Sequence, residues 1–226
     1  MPNETSNIFA IVDDEQTPIR RIPLTGDLQN QIKSFFDAQT ETFITDKQEI
    51  EFTGSYNVDI GELFFVPDFP IPENLSAAIQ NPLNNPVLNL NQETHRIKAL
   101  FTGVWNQNKK QISFQVFDSG KVLAKGFTLL NSDDTFKKLE DPGLILQDKL
   151  TAHFQDGKLL FTSYHNTKRF LDLNQYYEAA TDTDLEGFAD SELFEFEDES
   201  SFMANADSVI RKKVALLQQN HVKQDD

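Results

Sequence analysis

The sequence predicts an α+β protein: an N-terminal α/β portion, then an antiparallel β-meander followed by C-terminal helices. Three observations carry this. An early stripe, Leu28, Ile32, Phe35 and Phe36, recurs at the i, i+4, i+7, i+8 spacing of a core-facing helix. Between Ile97 and Ser163, short alternating apolar runs are punctuated by Asp-Gly and Asn-rich turns. After Asn166 the pattern becomes helical again. At 226 residues the chain is one ordinary domain, or one domain with an appendage, long enough to bury a sizeable core.

Taken in order, Ile8 to Val12 reads as a short strand, and Pro23-Leu24-Thr25-Gly26 leads into a helix from Asp27 to Gln39. Strands at Glu49 to Tyr56 and Glu62 to Val66 follow, with Gly61 before the second and Pro67 closing it. Five of the nine prolines, Pro67, Pro70, Pro72, Pro82 and Pro86, lie in the next stretch. Proline removes a backbone donor and fixes φ, so this stretch is mostly loop, with one short helix near Leu75 to Ile79. It marks residues 1–66 as the N-terminal portion, 67–90 as a connector and 91–226 as the meander with its helices.

In that last part, Ile97 to Trp105 is a strand. A polar turn, Asn106 to Lys110, leads to a second strand with Ile112, Phe114 and Val116 on one face. Asp118-Ser119-Gly120 turns into Val122 to Phe127, and Asp141-Pro142-Gly143 is a further turn. Leu150 to Phe154 pairs with Lys158 to Ser163 across Gln155-Asp156-Gly157. Helices are expected at Lys168 to Tyr177, Asp182 to Ala189 and Asp207 to Gln219. The last carries Arg211, Lys212 and Lys213 on a basic face.

Composition narrows the function. Twenty Phe stand against one Trp, and Phe has no polar handle, so most of these rings belong to the core. The absence of cysteine rules out disulfides, thiolate zinc sites and cysteine nucleophiles. No apolar run approaches the ~20 residues of a membrane span, and Met1 to Ile11 lacks a signal peptide's basic and apolar regions. A cytoplasmic location is expected, peripheral to the inner membrane only through a partner.

A net charge of −16 is hostile to nucleic acid, but it is unevenly spread. Between Phe170 and Ile210 there are twelve acids and no Lys or Arg; without them the net charge would be −4. By contrast, Thr94 to Lys125 holds Arg96, Lys98, Lys109, Lys110, Lys121 and Lys125 against Asp118 alone. Association is governed by such local fields rather than by the total.

Catalytic signatures are mostly missing. There is no GxSxG, HExxH or glycine-rich phosphate loop, and His95, His153, His165 and His221 lack metal-ligand spacing. Asp118 and Asp156, each followed closely by Gly and Lys, fit a metal-dependent nuclease only loosely, since hairpin turns require the same residues. No catalytic residue, metal or cofactor is expected. The acidic run with Glu195, Glu197, Asp198 and Glu199 reads as a solvated surface, a grip on a basic partner, or a mimic of nucleic-acid charge. Lys168 and Arg169 fall at the expected start of a helix, where the dipole disfavours cations, which points to an external anion. With Arg96, Lys98, Lys109, Lys110, Arg211 and Lys212 they form the candidate nucleic-acid-binding set. No aromatic–basic stacking motif stands out, so contact should run through the backbone and be sequence-tolerant.

From Arg96 onward the sequence resembles the KwaB-like family, the second component of the Kiwa anti-phage defence system. The resemblance is carried by Ile97-Lys98-Ala99-Leu100-Phe101, Phe114-Gln115-Val116-Phe117, Asp134-Thr135-Phe136, Pro142-Gly143-Leu144-Ile145-Leu146 and Asp148-Lys149-Leu150. It continues through Gly157-Lys158-Leu159-Leu160-Phe161, His165-Asn166, Arg169, Leu171-Asp172-Leu173, Tyr176-Tyr177, Ala206-Asp207-Ser208 and Ile210-Arg211-Lys212-Lys213. It implies a non-enzymatic DNA-binding effector of antiviral defence that associates with a small membrane protein of the same system and forms homo-oligomers. Family members usually continue well past the final helix, whereas this chain stops at Asp226. An acidic protein-interaction module, or DNA mimic, is the alternative from another class.

Overall fold

The computed structural model describes residues 7–53, 58–118, 120, 122–123, 129–132, 135–138, 143–176, 181–190, 198–207, 210–211 and 213–214. Their centre is an eight-stranded mixed sheet flanked by helices, an α+β architecture. Its strands are β1 (Phe9–Val12), β2 (Ile19–Arg21), β3 (Gln48–Glu51), β4 (Glu62–Val66), β5 (Ile97–Trp105) and β6 (Lys110–Val116). β7 (Val122–Leu123) pairs with β10 (Gly143–Leu144), and β8 (Leu129–Ser132) with β9 (Thr135–Lys138), as two separate ribbons. β11 (Ala152–Gln155) and β12 (Lys158–Phe161) complete the main sheet, whose order is β2-β1-β5-β6-β11-β12-β4-β3. Every pair in it is antiparallel except β3 with β4.

The order gives the proline-rich stretch a different meaning. Strands from residues 1–66 close both edges of a sheet whose middle comes from residues 91–226. The boundary drawn at residues 67–90 is therefore one of chain order and not of the sheet. The stretch itself holds α2 (Glu73–Gln80) and a 3-10 turn, Pro82–Asn84.

Alternation along the strands splits the core in two. One face carries Phe101, Phe114, Phe154 and Phe161 with Leu75 and Ala78 of α2, and is closed by Leu171 and Leu173. The other carries Ala10, Leu63, Leu100 and Leu160 beneath α1 (Gly26–Ile44). α1 runs past the expected Gln39 because its buried stripe is Phe36, Gln39 and Phe43, with a polar residue in the middle that hides the continuation. Leu28 and Phe35, expected to face the core, are exposed.

Two other expectations change, and one strand was not expected. β2 has no apolar signature beyond Ile19, since Arg20 and Arg21 follow it. After β6 the next strand in the sheet is β11, and Val122–Leu123 leaves to pair with β10. A central strand is covered on both faces, and Ala152, His153 and Phe154 are all buried; of the strand expected from Val122 to Phe127, residues 124–127 lie outside the described residues. The helix expected from Lys168 is absent. Instead α4 (Tyr164–Thr167) is capped by Ser163, whose hydroxyl accepts the Asn166 N–H at 3.3 Å. Beyond it Leu171 and Leu173 alternate into the core, and Asp172 accepts the Asn174 N–H at 3.0 Å, which leaves no helical ladder.

α5 (Asp182–Ala189) is found as expected, started by a Thr181–Asp184 capping box. α6 (Glu199–Asn205) lies in the acidic run, and Leu185 and Phe188 of α5 pack with Phe202 and Val214 as a small second core. Of the expected last helix, residues 210–211 and 213–214 are described as helical. Among the described residues no helix is long and apolar enough to cross a membrane.

Candidate functional site

The β1–β2 turn owes its shape to Asp14. Its carboxylate accepts the Gln16 and Thr17 N–H groups, each at 3.1 Å, and so fixes the loop before Pro18. Buried Arg20 then ties that loop to α3 (Leu90–Glu93), reaching Asp14 at 3.0 Å and Glu93 at 2.7 Å. The Thr17 N–H and the Arg20 guanidinium hold the Asp14 carboxyl down at about 2. Asp13, beside it, receives Lys98 at 2.7 Å and is also held below the usual carboxylate range by that ammonium.

This turn is one wall of a groove of about 350 Å³. The start of β5 gives Lys98, and the segment leaving α4 gives Lys168, Arg169 and Asp172. Arg96 donates to the Asp13 carbonyl at 2.9 Å and lies 3.4 Å from the Asp14 carboxylate, bracing the same wall. Arg169 donates to the Phe117 carbonyl at 2.8 Å and pairs with Asp118 at 3.0 Å, which pins the loop after β6. Lys168 caps the C-terminus of α4 and lies 5.0 Å from the centre of the Tyr164 ring. At a helix C-terminus cations are favoured, so the supposed breach of the dipole rule disappears. Burial pushes the Tyr164 hydroxyl up, with Asp172 adding to it.

The fold thus gathers Arg96, Lys98, Lys168 and Arg169 around one groove. Lys109 and Lys110 stand at the far end of β5 and β6, on a turn fixed by the Asn106 side chain, which accepts the Asn108 and Lys109 N–H groups at 2.9 Å each. Arg211 is elsewhere, paired with Asp182 at the start of α5. Lys212, Glu195 and Glu197 lie outside the described residues, as do Lys121 and Lys125. Asp198 is the N-cap of α6, accepting the Ser201 N–H at 3.0 Å, and Glu199 is that helix's first residue.

The two aspartates weighed as nuclease ligands have other work here. Asp118 holds Arg169, and Asp156, at φ 47 beside Gly157 at φ 95, forms the β11–β12 turn. Among the described residues no three His, Asp or Glu side chains cluster where they could hold a metal ion.

Sequence reasoning passed over Asp13, Asp14 and Arg20, whose roles exist only once the turn folds against β5 and α3. It also passed over Trp105. At the end of β5 this ring stacks on Phe154 at 5.9 Å, with the Lys110 ammonium 5.7 Å from its centre. Its one signal was the only tryptophan of the chain standing four residues before a Lys pair. Compared with protein-family models, curated proteins and solved structures, the chain matches none of them.

Proposed function

We propose that this protein is a non-enzymatic binder that holds nucleic acid through its backbone, with little sequence preference, at the groove of Lys98, Lys168 and Arg169. The observation carrying this is that cations some 70 residues apart in sequence share one groove, with Arg96 bracing its wall. Their present partners are no obstacle. Lys98–Asp13 and Arg169–Asp118 are partly exposed pairs, which water and salt weaken. Phosphates can take over those cations and release counterions as they do so. Support for a non-catalytic role comes from Asp118 and Asp156, each accounted for by an ion pair or a turn.

The resemblance to the KwaB-like family adds the biological setting: antiviral defence, a small membrane partner protein and self-association. A neighbouring gene for a small multi-span membrane protein would support it. A second reading, docking of a mixed-charge protein, is favoured by Asp13, Asp14, Glu15 and Asp172, which line the same groove.

The deciding experiment is a fluorescence-anisotropy titration with two unrelated DNA duplexes at low and high salt. Affinity should fall by about one log unit of slope per phosphate contact, equally for both duplexes. Lys98→Ala with Lys168→Ala should weaken both alike and flatten the slope. No binding at low salt, or binding indifferent to these changes, would overturn the reading and leave protein docking in front.

A further inference from the structure

The end of the sheet remote from Lys98 carries a second groove, of about 500 Å³, between β5, the β11–β12 turn and the segment after β4. Its floor is aromatic and aliphatic: Trp105, Phe154, Phe69 and Ile71. Lys110 lines its rim, and Lys109 precedes it on the same turn. Lys109 and Lys110 are exposed, and neither has a carboxylate partner among the described residues, unlike Lys98, Arg169 and Arg211. The one carboxylate there, Asp156, is committed to the turn through the Lys110 N–H at 3.2 Å.

A half-buried indole backed by a second ring is a fixed flat surface, because Phe154 beneath it is itself buried in the sheet. The lysine above it is exposed and attached by a flexible stem, so it can leave the ring for an anion without unfolding anything. A flat π surface next to two unpaired cations matches a planar ring joined to phosphates. Every nucleobase offers such a face, but only when unpaired, since a duplex hides the faces inside its own stack.

We infer that Trp105 is a stacking platform for an unpaired base of single-stranded nucleic acid, with Lys109 and Lys110 taking the adjoining phosphates. This rests on the nucleic-acid reading above and changes its terms. The groove at Lys98 would bind any backbone, whereas the Trp105 groove would select single strands. The two lie at opposite ends of β5, about 23 Å apart at a strand's ordinary rise per residue. That is a span a short extended strand can bridge.

The only tryptophan of the chain makes the test direct. The full chain is titrated with a thymidine 12-mer, with a 12-base-pair duplex, and with an abasic oligomer of equal length carrying the same phosphates. Intrinsic fluorescence and anisotropy are both recorded. The expected result is saturable quenching by the thymidine strand alone and roughly tenfold weaker binding of the abasic strand. Trp105→Phe, which keeps a ring on Phe154, should lose part of that tenfold, while Lys109→Ala with Lys110→Ala should flatten the salt slope. Equal affinity for the base-bearing and abasic strands without quenching would overturn the platform and leave backbone binding intact. Equal quenching by the duplex would overturn the preference for unpaired bases. Absence of binding by all three probes would overturn both readings.

Discussion

On the face of the sheet under α2, the inward residues of β5, β6, β11 and β12 are Phe101, Phe114, Phe154 and Phe161. One residue along β6 and β11, on the face under α1, stand Ser113, Gln115 and His153, each buried. β6 and β11 therefore bury rings on one side and polar groups on the other, while β5 and β12 place Leu100 and Leu160 on that second face. The ring face is held by non-directional burial. The polar groups among the apolar residues of the α1 face are held by two chains of hydrogen bonds. In the first, Thr40 of α1 meets Ser113 at 2.9 Å, and Ser113 meets His153 Nδ1 at 3.0 Å. In the second, the Gln115 amide donates to the Gln39 side chain at 2.7 Å and to the Gln147 carbonyl at 2.8 Å. Rings set how much the fold gains from burial, while these chains set where α1 sits on the sheet. Polar groups bonded this way tolerate little displacement, since each is costly if left alone.

The largest effect should come from the ring face. Phe114 is fully buried, with Phe101 at 6.0 Å and Phe170 at 5.3 Å. Phe114→Ala should cost about 3–5 kcal/mol by urea denaturation. Ser113→Ala, its neighbour facing the other way, should cost about 1 kcal/mol. Equal losses would break the comparison.

The next effect belongs to pH. Burial lowers His153 from the usual 6.5 to about 4, opposed in part by the Gln155 side chain and reinforced by Lys109. The folded chain therefore keeps it neutral where the unfolded chain already binds a proton. Stability is full above pH 6.5 and declines as the pH falls toward 4, by about 3 kcal/mol at 1.36 kcal/mol per unit. Asp14 acts lower, between its ordinary 3.8 and about 2, so the two windows separate. Denaturant midpoints of wild type and His153→Gln should converge as the pH drops from 7 to 4. An unchanged slope in the variant would remove His153 from the account.

Gln115→Leu comes third. It strands the Gln39 side-chain oxygen and the Gln147 N–H, which Gln115 serves through Nε2 and Oε1. An expected loss of about 2 kcal/mol follows from burying unpaired polar groups, and hydrogen exchange should rise along α1 before it rises in β5.

What could be read beforehand was what is local. The bounds of β4, β5 and α5 were legible from local pattern, with Pro67 closing β4, and the structure keeps them. β2 was illegible because Arg20-Arg21 looks like surface charge, and α4 because Lys168-Arg169 reads as the opening of a helix, until their partners are known. Those partners, Glu93 for Arg20 and Asp118 for Arg169, lie 73 and 51 residues away. The polar face was hidden for the same reason. Gln39, Ser113 and His153 interrupt apolar patterns in three separate elements, and only the fold shows that they interrupt them toward one another. Lys98, Lys168 and Arg169 were singled out one by one; that they share a groove follows from β5 lying beside β1 and from Arg169 holding Phe117 and Asp118 after β6.

The smallest expected effect is at the groove, and it sharpens the contrast between buried and exposed polar pairs. Lys98 and Asp13 approach to 2.7 Å, closer than Ser113 and His153, yet Asp13 is largely open to water. Water weakens the attraction and salt screens it, so the pair adds little to stability. Lys98→Ala should therefore shift the urea midpoint only slightly at low salt. At about 1 M salt, where the screening length is about 3 Å, even that shift should vanish. The loss in Gln115→Leu should be the same at both salt concentrations, because a buried amide network has no ions for salt to screen. Measuring both variants in parallel isolates burial as the variable. A salt-independent loss in Lys98→Ala would mean that its ammonium is held inside the structure, which would also remove it from the cations free to meet a phosphate.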